Sequence, residues 1–190
     1  MTAAGVSASI LAGGKSTRFG SDKALFAYRG KALIELVIDV LKNIFSEIVI
    51  IADVESRFSH LGYPVFSDLY PDIGPICGIY TALYHSKTEH VFVVASDMPF
   101  LSGDLVRYMI SCSDGYDVIV PCIRGYYEPL HAIYSKNCLN PVLDRIKNND
   151  RMIFSFYNEV RVRKIGEDEV GRFAHGNDIF KNINSRHDAL

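Results

Sequence analysis

Apolar segments of strand length recur along this chain, and between them stand longer segments whose apolar residues repeat at helical spacing. That alternation is the pattern of an α/β protein built on a largely parallel sheet. The strand-length segments are Val6 to Leu11, Ile48 to Ala52, Val65 to Phe66, Val91 to Ala95, Val118 to Pro121, Leu130 to Tyr134 and Val160 to Ile165. Their apolar residues run with little interruption, so burial on both faces is expected. Leu33, Leu36, Val37, Val40, Leu41 and Ile44 repeat at helical period. Further helices are expected over Ile76 to Tyr84, Leu105 to Cys112 and Cys138 to Ile146, with Ser102 and Asp104 as helix-start residues. The expectation is a three-layer αβα, Rossmann-like fold with a mostly parallel sheet, in one domain over residues 1–190.

Composition narrows the partners. With 190 residues, 48% of them hydrophobic, the chain can bury one substantial core, and a formal net charge of −2 gives no general excess of positive charge. Neither nucleic acid nor an anionic membrane is expected as a partner, so any phosphate binding must be local. No apolar stretch approaches the roughly 20 residues that span a bilayer, and Met1 to Ser9 lacks the layout of a secretion signal. A cytoplasmic protein is expected. Cys77, Cys112, Cys122 and Cys138 form no C-x-x-C pair and read as small core residues.

In an open α/β sheet, ligands settle beyond the carboxyl ends of the strands, which directs attention to the residues after each apolar run. After the first comes Leu11-Ala12-Gly13-Gly14-Lys15-Ser16-Thr17-Arg18-Phe19-Gly20-Ser21-Asp22-Lys23. Its three glycines let backbone N–H groups close on an anion, and its cations balance polyphosphate charge. Arg18 offers a bidentate fork to phosphate oxygens and Lys23 a mobile point charge. Two familiar loops are excluded. A P-loop ending at Gly14-Lys15-Ser16 would need glycine where Ser9 stands, and G-x-G-x-x-G fails because Lys15 holds the place of the second glycine.

After the fourth run, Ser96-Asp97-Met98-Pro99 places a carboxylate at a strand end, where Mg²⁺ would join it to phosphate oxygens and water. Asp97 is the leading metal-ligand candidate, with a turn or cap residue as the alternative. Asp68, before Gly74-Pro75-Ile76-Cys77-Gly78, either faces the ligand or opens a turn toward Pro71. His131, in Tyr127-Glu128-Pro129-Leu130-His131-Ala132-Ile133-Tyr134, reads as a strand residue with a satisfied hydrogen bond rather than a general base. Asn182 and Asn184, two apart in Phe180-Lys181-Asn182-Ile183-Asn184-Ser185, would share one side if extended, or form a polar turn. Arg145, Arg151, Arg161, Arg163 and Arg172 supply cations for an anionic acceptor or lie on a solvated face.

The loop pattern L-A-G-G-x-S-x-R-x-G-x-D-K resembles the signature of the molybdenum cofactor guanylyltransferases, with Phe19 where the family usually has Met. The D-x-P segment at Asp97, the G-P-x-x-G turn at Gly74, the P-L-x-A-x-Y strand and the closing N-x-N extend the likeness over nearly the whole chain. The resemblance implies a nucleotide-diphospho-sugar transferase type of fold and transfer of GMP from GTP to the phosphate of molybdopterin or its molybdenum form, with release of pyrophosphate. It implies that Leu11, Ala12, Gly13 and Gly14 touch guanine and ribose, that Arg18 and Lys23 handle phosphates, and that Asp97 binds Mg²⁺. Asp68 would contact the nucleotide, and Asn182 and Asn184 would face the reaction centre. The family often places Asn where this chain has Asp53. Other cofactor-biosynthesis or acceptor proteins are further candidate partners.

Two competing readings accompany this one. A CTP-dependent sister enzyme, or a sugar-phosphate nucleotidyltransferase, would share the machinery, but the sister cytidylyltransferases typically carry L-A-A-G where Leu11-Ala12-Gly13-Gly14 stands, which favours GTP. A non-catalytic nucleotide- or cofactor-binding protein would not need both Lys23 and Asp97.

Overall fold

The apolar runs become strands because β-branched and aliphatic residues fill both faces of a sheet that helices cover on each side. The computed structural model describes residues 5–13, 23–174 and 179–184. In chain order the elements are β1 (Val6–Leu11), β2 (Ala27–Tyr28), β3 (Lys31–Ala32), α1 (Leu33–Leu41), β4 (Ile48–Ala52), β5 (Val65–Ser67), α2 (Pro75–His85) and β6 (His90–Ala95). There follow α3 (Gly103–Ser111), β7 (Val118–Ile123), β8 (Tyr126–Tyr127), β9 (His131–Ser135), α4 (Leu139–Lys147), β10 (Val162–Ile165) and α5 (Glu167–Ala174).

The main sheet runs β10-β7-β9-β6-β1-β4-β5, with β8 paired to the end of β7. β1 lies parallel to β4 and β6, β4 to β5, and β10 to β7. β9 is antiparallel to both neighbours, so the sheet is mixed but mostly parallel. Period-two alternation sorts each strand between two cores. Ile10, Ile50, Phe92 and Val94 meet α1 and α3 on one face. Val49, Ile51, Val91 and Val93 meet α2 and α4 on the other. The expected three-layer arrangement is present.

Helix signals act as anticipated. Ser102 caps α3 by accepting from Leu105 N at 3.3 Å, and Pro75 takes the first turn of α2 after Gly74, whose φ of 126° suits glycine. Arg29 and Gly30, both at positive φ, turn the short hairpin of β2 and β3, which sequence periodicity did not register. Two structured segments near the C-terminus were also missed, a 3-10 segment Ile153–Glu159 and α5. Cys77 and Cys138 are core residues as expected, whereas Cys112 and Cys122 are half-buried.

His131 departs from expectation. It is fully buried on β9, with the Phe92 and Phe180 rings packed edge-to-face at 5.2 and 5.1 Å, and neither ring nitrogen has a hydrogen-bond partner among the described residues. The satisfied hydrogen bond is therefore absent; the ring serves as an aromatic spacer. Burial alone drives its pKa down to about 3. An unfolded chain would take up that proton near pH 6.5, so stability is fully present above about pH 6.5 and declines as the pH falls toward 3. Urea unfolding at stepped pH should show His131→Leu losing up to roughly 1.4 kcal/mol per pH unit less than the wild type across this window; equal slopes would assign the acid sensitivity to other groups.

Candidate active site

The parallel register sets the site. Leu11 pairs with Ala95 and with Ile51, so the chain leaves β1, β4 and β6 at one level and Gly13, Asp53 and Asp97 follow side by side. Ser96 N donates to Leu11 O at 3.0 Å and Ala12 N to Ile51 O at 2.8 Å, which carries the ladder one residue beyond the strands. Above this edge lies a cleft of about 690 Å³. Leu11, Ala12, Gly13 and Lys23 line it, as do Asp68, Gly74, Pro75 and Gly78, together with Asp97, Leu130 and Asn182.

Lys23, distant from Asp97 in sequence, is ion-paired with its Oδ2, and also donates to Asn184 Oδ1 at 2.6 Å. The two side chains are only 19% and 17% exposed. A third apolar cluster brings these groups together: Leu33 and Ile183 are fully buried against each other, with Phe26, Tyr28, Leu36 and Phe100 around them. Ile183 N donates to Asp97 O at 3.0 Å. Ile183 is the buried residue between two exposed asparagines, which explains why Asn182 lines the cleft while Asn184 reaches Lys23. Had Lys23 and Asp97 lain apart, no polyphosphate site could have been built from them.

Asp97 Oδ1 is buried and has no hydrogen-bond partner among the described residues. A lone hard oxygen at the cleft wall fits a hard divalent cation. No group of three His, Cys, Asp or Glu residues able to hold a metal occurs among the described residues, so such an ion would complete its shell with phosphate and water oxygens.

Asp53, Asp68 and Asp72 add further carboxylates to the cleft lining. Burial raises the Asp68 carboxyl above its ordinary pKa, the Thr81 hydroxyl at 3.3 Å opposes that shift, and the nearby Asp53 charge adds to it. Asp53, unassigned from sequence, lines the cleft and pairs with Arg57 at 2.7 Å. Asp72 lines it too, at a φ of 69°, and nothing in its sequence context marked it. A Cβ on Gly13 would stand at van der Waals contact, 3.7 Å from Asp53 N and 3.8 Å from Asp68 Oδ2, so the glycine leaves open the space between loop and carboxylates. Gly14 and Arg18 lie outside the described residues.

The arginines divide differently from the expectation of an acceptor-binding set. Arg145 is paired with Glu159, Arg161 with Asp117 at 3.0 Å, and Arg163 with Glu169 at 2.6 Å. These three brace β10, α4 and α5 and are engaged in ion pairs within the scaffold.

Residues 8–162 match the model of a family described as the MobA-like NTP transferase domain. The chain belongs to this family. A protein of Pelotomaculum thermopropionicum named "Probable molybdenum cofactor guanylyltransferase" is 38% identical, across 95% of this chain and 88% of its own. One of the same name from Natranaerobius thermophilus is 36% identical across 96% and 92%. Among solved structures, molybdopterin-guanine dinucleotide biosynthesis protein A from Archaeoglobus fulgidus is similar with a TM-score of 0.83 and 26% identity, over 96% of this chain and 94% of that one. The fold is the nucleotide-diphospho-sugar transferase type, and the chain is a nucleotidyltransferase.

Gly78 on α2 packs directly beneath Leu11: a Cβ there would come within 2.9 Å of Leu11 Cδ1. Gly78→Ala is expected to weaken nucleotide binding about tenfold, because roughly 1.4 kcal/mol of crowding would be relieved by tipping Leu11 into the cleft. Titration with a fluorescent GTP analogue checks this, and unchanged affinity would mean that Leu11 repacks away from the ligand.

Proposed function

We propose that this nucleotidyltransferase transfers GMP from GTP to the terminal phosphate of molybdopterin, or of its molybdenum form, and releases pyrophosphate. The observation that carries the reading is the meeting of Lys23 with Asp97 and Asn184 beside a cleft that Gly13, Asp53 and Asp68 also line. The first group suits a polyphosphate with its cation, the second a base. The names borne by relatives across nearly the full chain support the choice of substrates.

The acidic lining bears on the choice of base. A carboxylate only accepts hydrogen bonds. Guanine presents two adjacent donors on its Watson–Crick edge, N1–H and the exocyclic amine, whereas cytosine presents one donor beside two acceptors that Asp53 and Asp68 would leave facing like oxygens. That favours GTP over CTP, in agreement with Gly13 in place of the alanine typical of the sister cytidylyltransferases.

Mg²⁺ bound through Asp97 would neutralise charge on the phosphates as pyrophosphate separates. Lys23 would hold the phosphates and stabilise charge gathering on the leaving group, with Arg18 joining it. Leu11 and Ala12 would support base and ribose. Asn182 would bind the incoming phosphate of the acceptor or its pterin through its amide, and Asn184 would orient Lys23. The acceptor phosphate oxygen attacks the α-phosphorus, so no protein nucleophile is needed and positioning carries the catalysis. We place the reaction in the cytoplasm, where the four free cysteines would stay reduced.

Pyrophosphate release measured with molybdopterin and each of the four triphosphates should be greatest with GTP; a preference for CTP would overturn the assignment of base. Asp97→Asn should lower turnover about a thousandfold, the loss of ~4 kcal/mol of charge stabilisation, with melting temperature nearly unchanged. Full turnover in that variant would remove Asp97 from the reaction.

A further inference from the structure

We propose that Lys23 is the resting counter-ion of the metal site and that it makes divalent-cation binding conditional on nucleotide. The inference rests on the reading of Asp97 as the residue that takes the metal in the ternary complex. It goes further by giving Lys23 a task before any nucleotide arrives.

Neither oxygen of Asp97 is freely presented to an ion from solution. Oδ2 is paired with the Lys23 ammonium, and Oδ1 is shielded from solvent without a hydrogen-bond partner among the described residues. The ammonium is itself held from a second side by Asn184 Oδ1 at 2.6 Å, and the backbone of Asp97 is held by Ile183 N. Among the described residues the resting site thus pairs one carboxylate with one cation, at a strand end and a closing segment that pack through Leu33 and Ile183. A free divalent ion approaching Asp97 meets a positive charge at contact distance in a partly dry site, where repulsion is weakly screened.

A triphosphate changes this balance. Its oxygens offer Lys23 several negative charges within reach of a flexible four-carbon side chain, and ammonium is a mobile point charge rather than a fixed fork. Once Lys23 turns to the phosphates, Asp97 is left with an unmatched charge beside them, which is the environment a hard divalent ion prefers. Lys23 therefore exchanges partners as the metal enters with its nucleotide. Nucleotide and metal are coupled through it, and such coupling is reciprocal: whatever factor GTP adds to metal affinity, the metal adds to GTP affinity.

Mn²⁺ provides the probe, because the electron paramagnetic resonance signal of the aqueous ion falls as it binds. In the absence of nucleotide the full-length wild type should bind Mn²⁺ poorly. Lys23→Met, which keeps the stem and removes the charge, should bind it about tenfold or more tightly, and the gain should vanish when Asp97→Asn is added. Lys23→Gln serves as a second charge-free variant, and circular dichroism establishes that each variant is folded. With GTP present, the wild type should gain Mn²⁺ affinity and Lys23→Met should gain much less. Equal Mn²⁺ affinity of the wild type and both Lys23 variants without nucleotide would overturn the counter-ion role while leaving Asp97 as the metal ligand. Undiminished Mn²⁺–GTP binding by Asp97→Asn would instead overturn the placement of the metal, and the exchange with it.

Discussion

The register of β1 against β6 is the constraint on which the site depends. With Leu11 opposite Ala95, the polypeptide turns out of the two central strands at the same height, and the glycine-rich segment and Asp97 emerge as neighbours. A shift of one residue would reverse every side chain between the two cores and bury the wrong set. The apolar packing that fixes the register, Ile10 and Val94 on one face and Val91 and Val93 on the other, is therefore also what fixes the distance between the glycine-rich segment and Asp97. Core and chemistry are specified by one pattern.

That shared origin explains which features were legible from sequence. Ends of apolar runs are visible in a sequence, and in a parallel sheet those ends are where ligands bind. Gly13, Lys23, Asp68 and Asp97 could be found for that reason, and all four line the same cleft. The direction of β9 was not legible, because burial on both faces gives an apolar run of the same appearance in either direction. Nor was the hairpin of β2 and β3, whose strands are two residues each and carry no measurable period. Asp53 and Asp72 were obscured because a single aspartate in a turn has an ordinary structural use. For the arginines charge alone left an acceptor surface and a solvated face both open, and only the fold reveals that Arg145, Arg161 and Arg163 are matched to Glu159, Asp117 and Glu169.

Two of the buried polar groups that lack hydrogen-bond partners among the described residues, His131 and Asp97 Oδ1, show how position decides meaning. The imidazole can escape the cost of desolvation by remaining neutral, and aromatic rings enclose it on β9 far from any need for charge. The Asp97 carboxylate instead meets the Lys23 ammonium at one of its two oxygens. Its remaining oxygen has no hydrogen-bond partner among the described residues, which suits the proposed cation. The first group stiffens the core, and the second is held in readiness for a ligand.

Holding a charged group in readiness conflicts with folding, because an uncompensated carboxylate at the edge of a dry sheet would destabilise the chain before any substrate arrived. Lys23 resolves the conflict by supplying a counter-charge that belongs to the protein yet sits on a flexible stem. The closing segment completes the arrangement: Ile183 contributes apolar anchorage, while the flanking Asn184 contributes a neutral acceptor that steadies the ammonium without competing in charge. An aspartate at that position would bind Lys23 more strongly and hinder its transfer to phosphate, whereas an amide holds it weakly enough to be released. The chemistry of an N-x-N ending thus follows from the need for a cation that is positioned but not trapped.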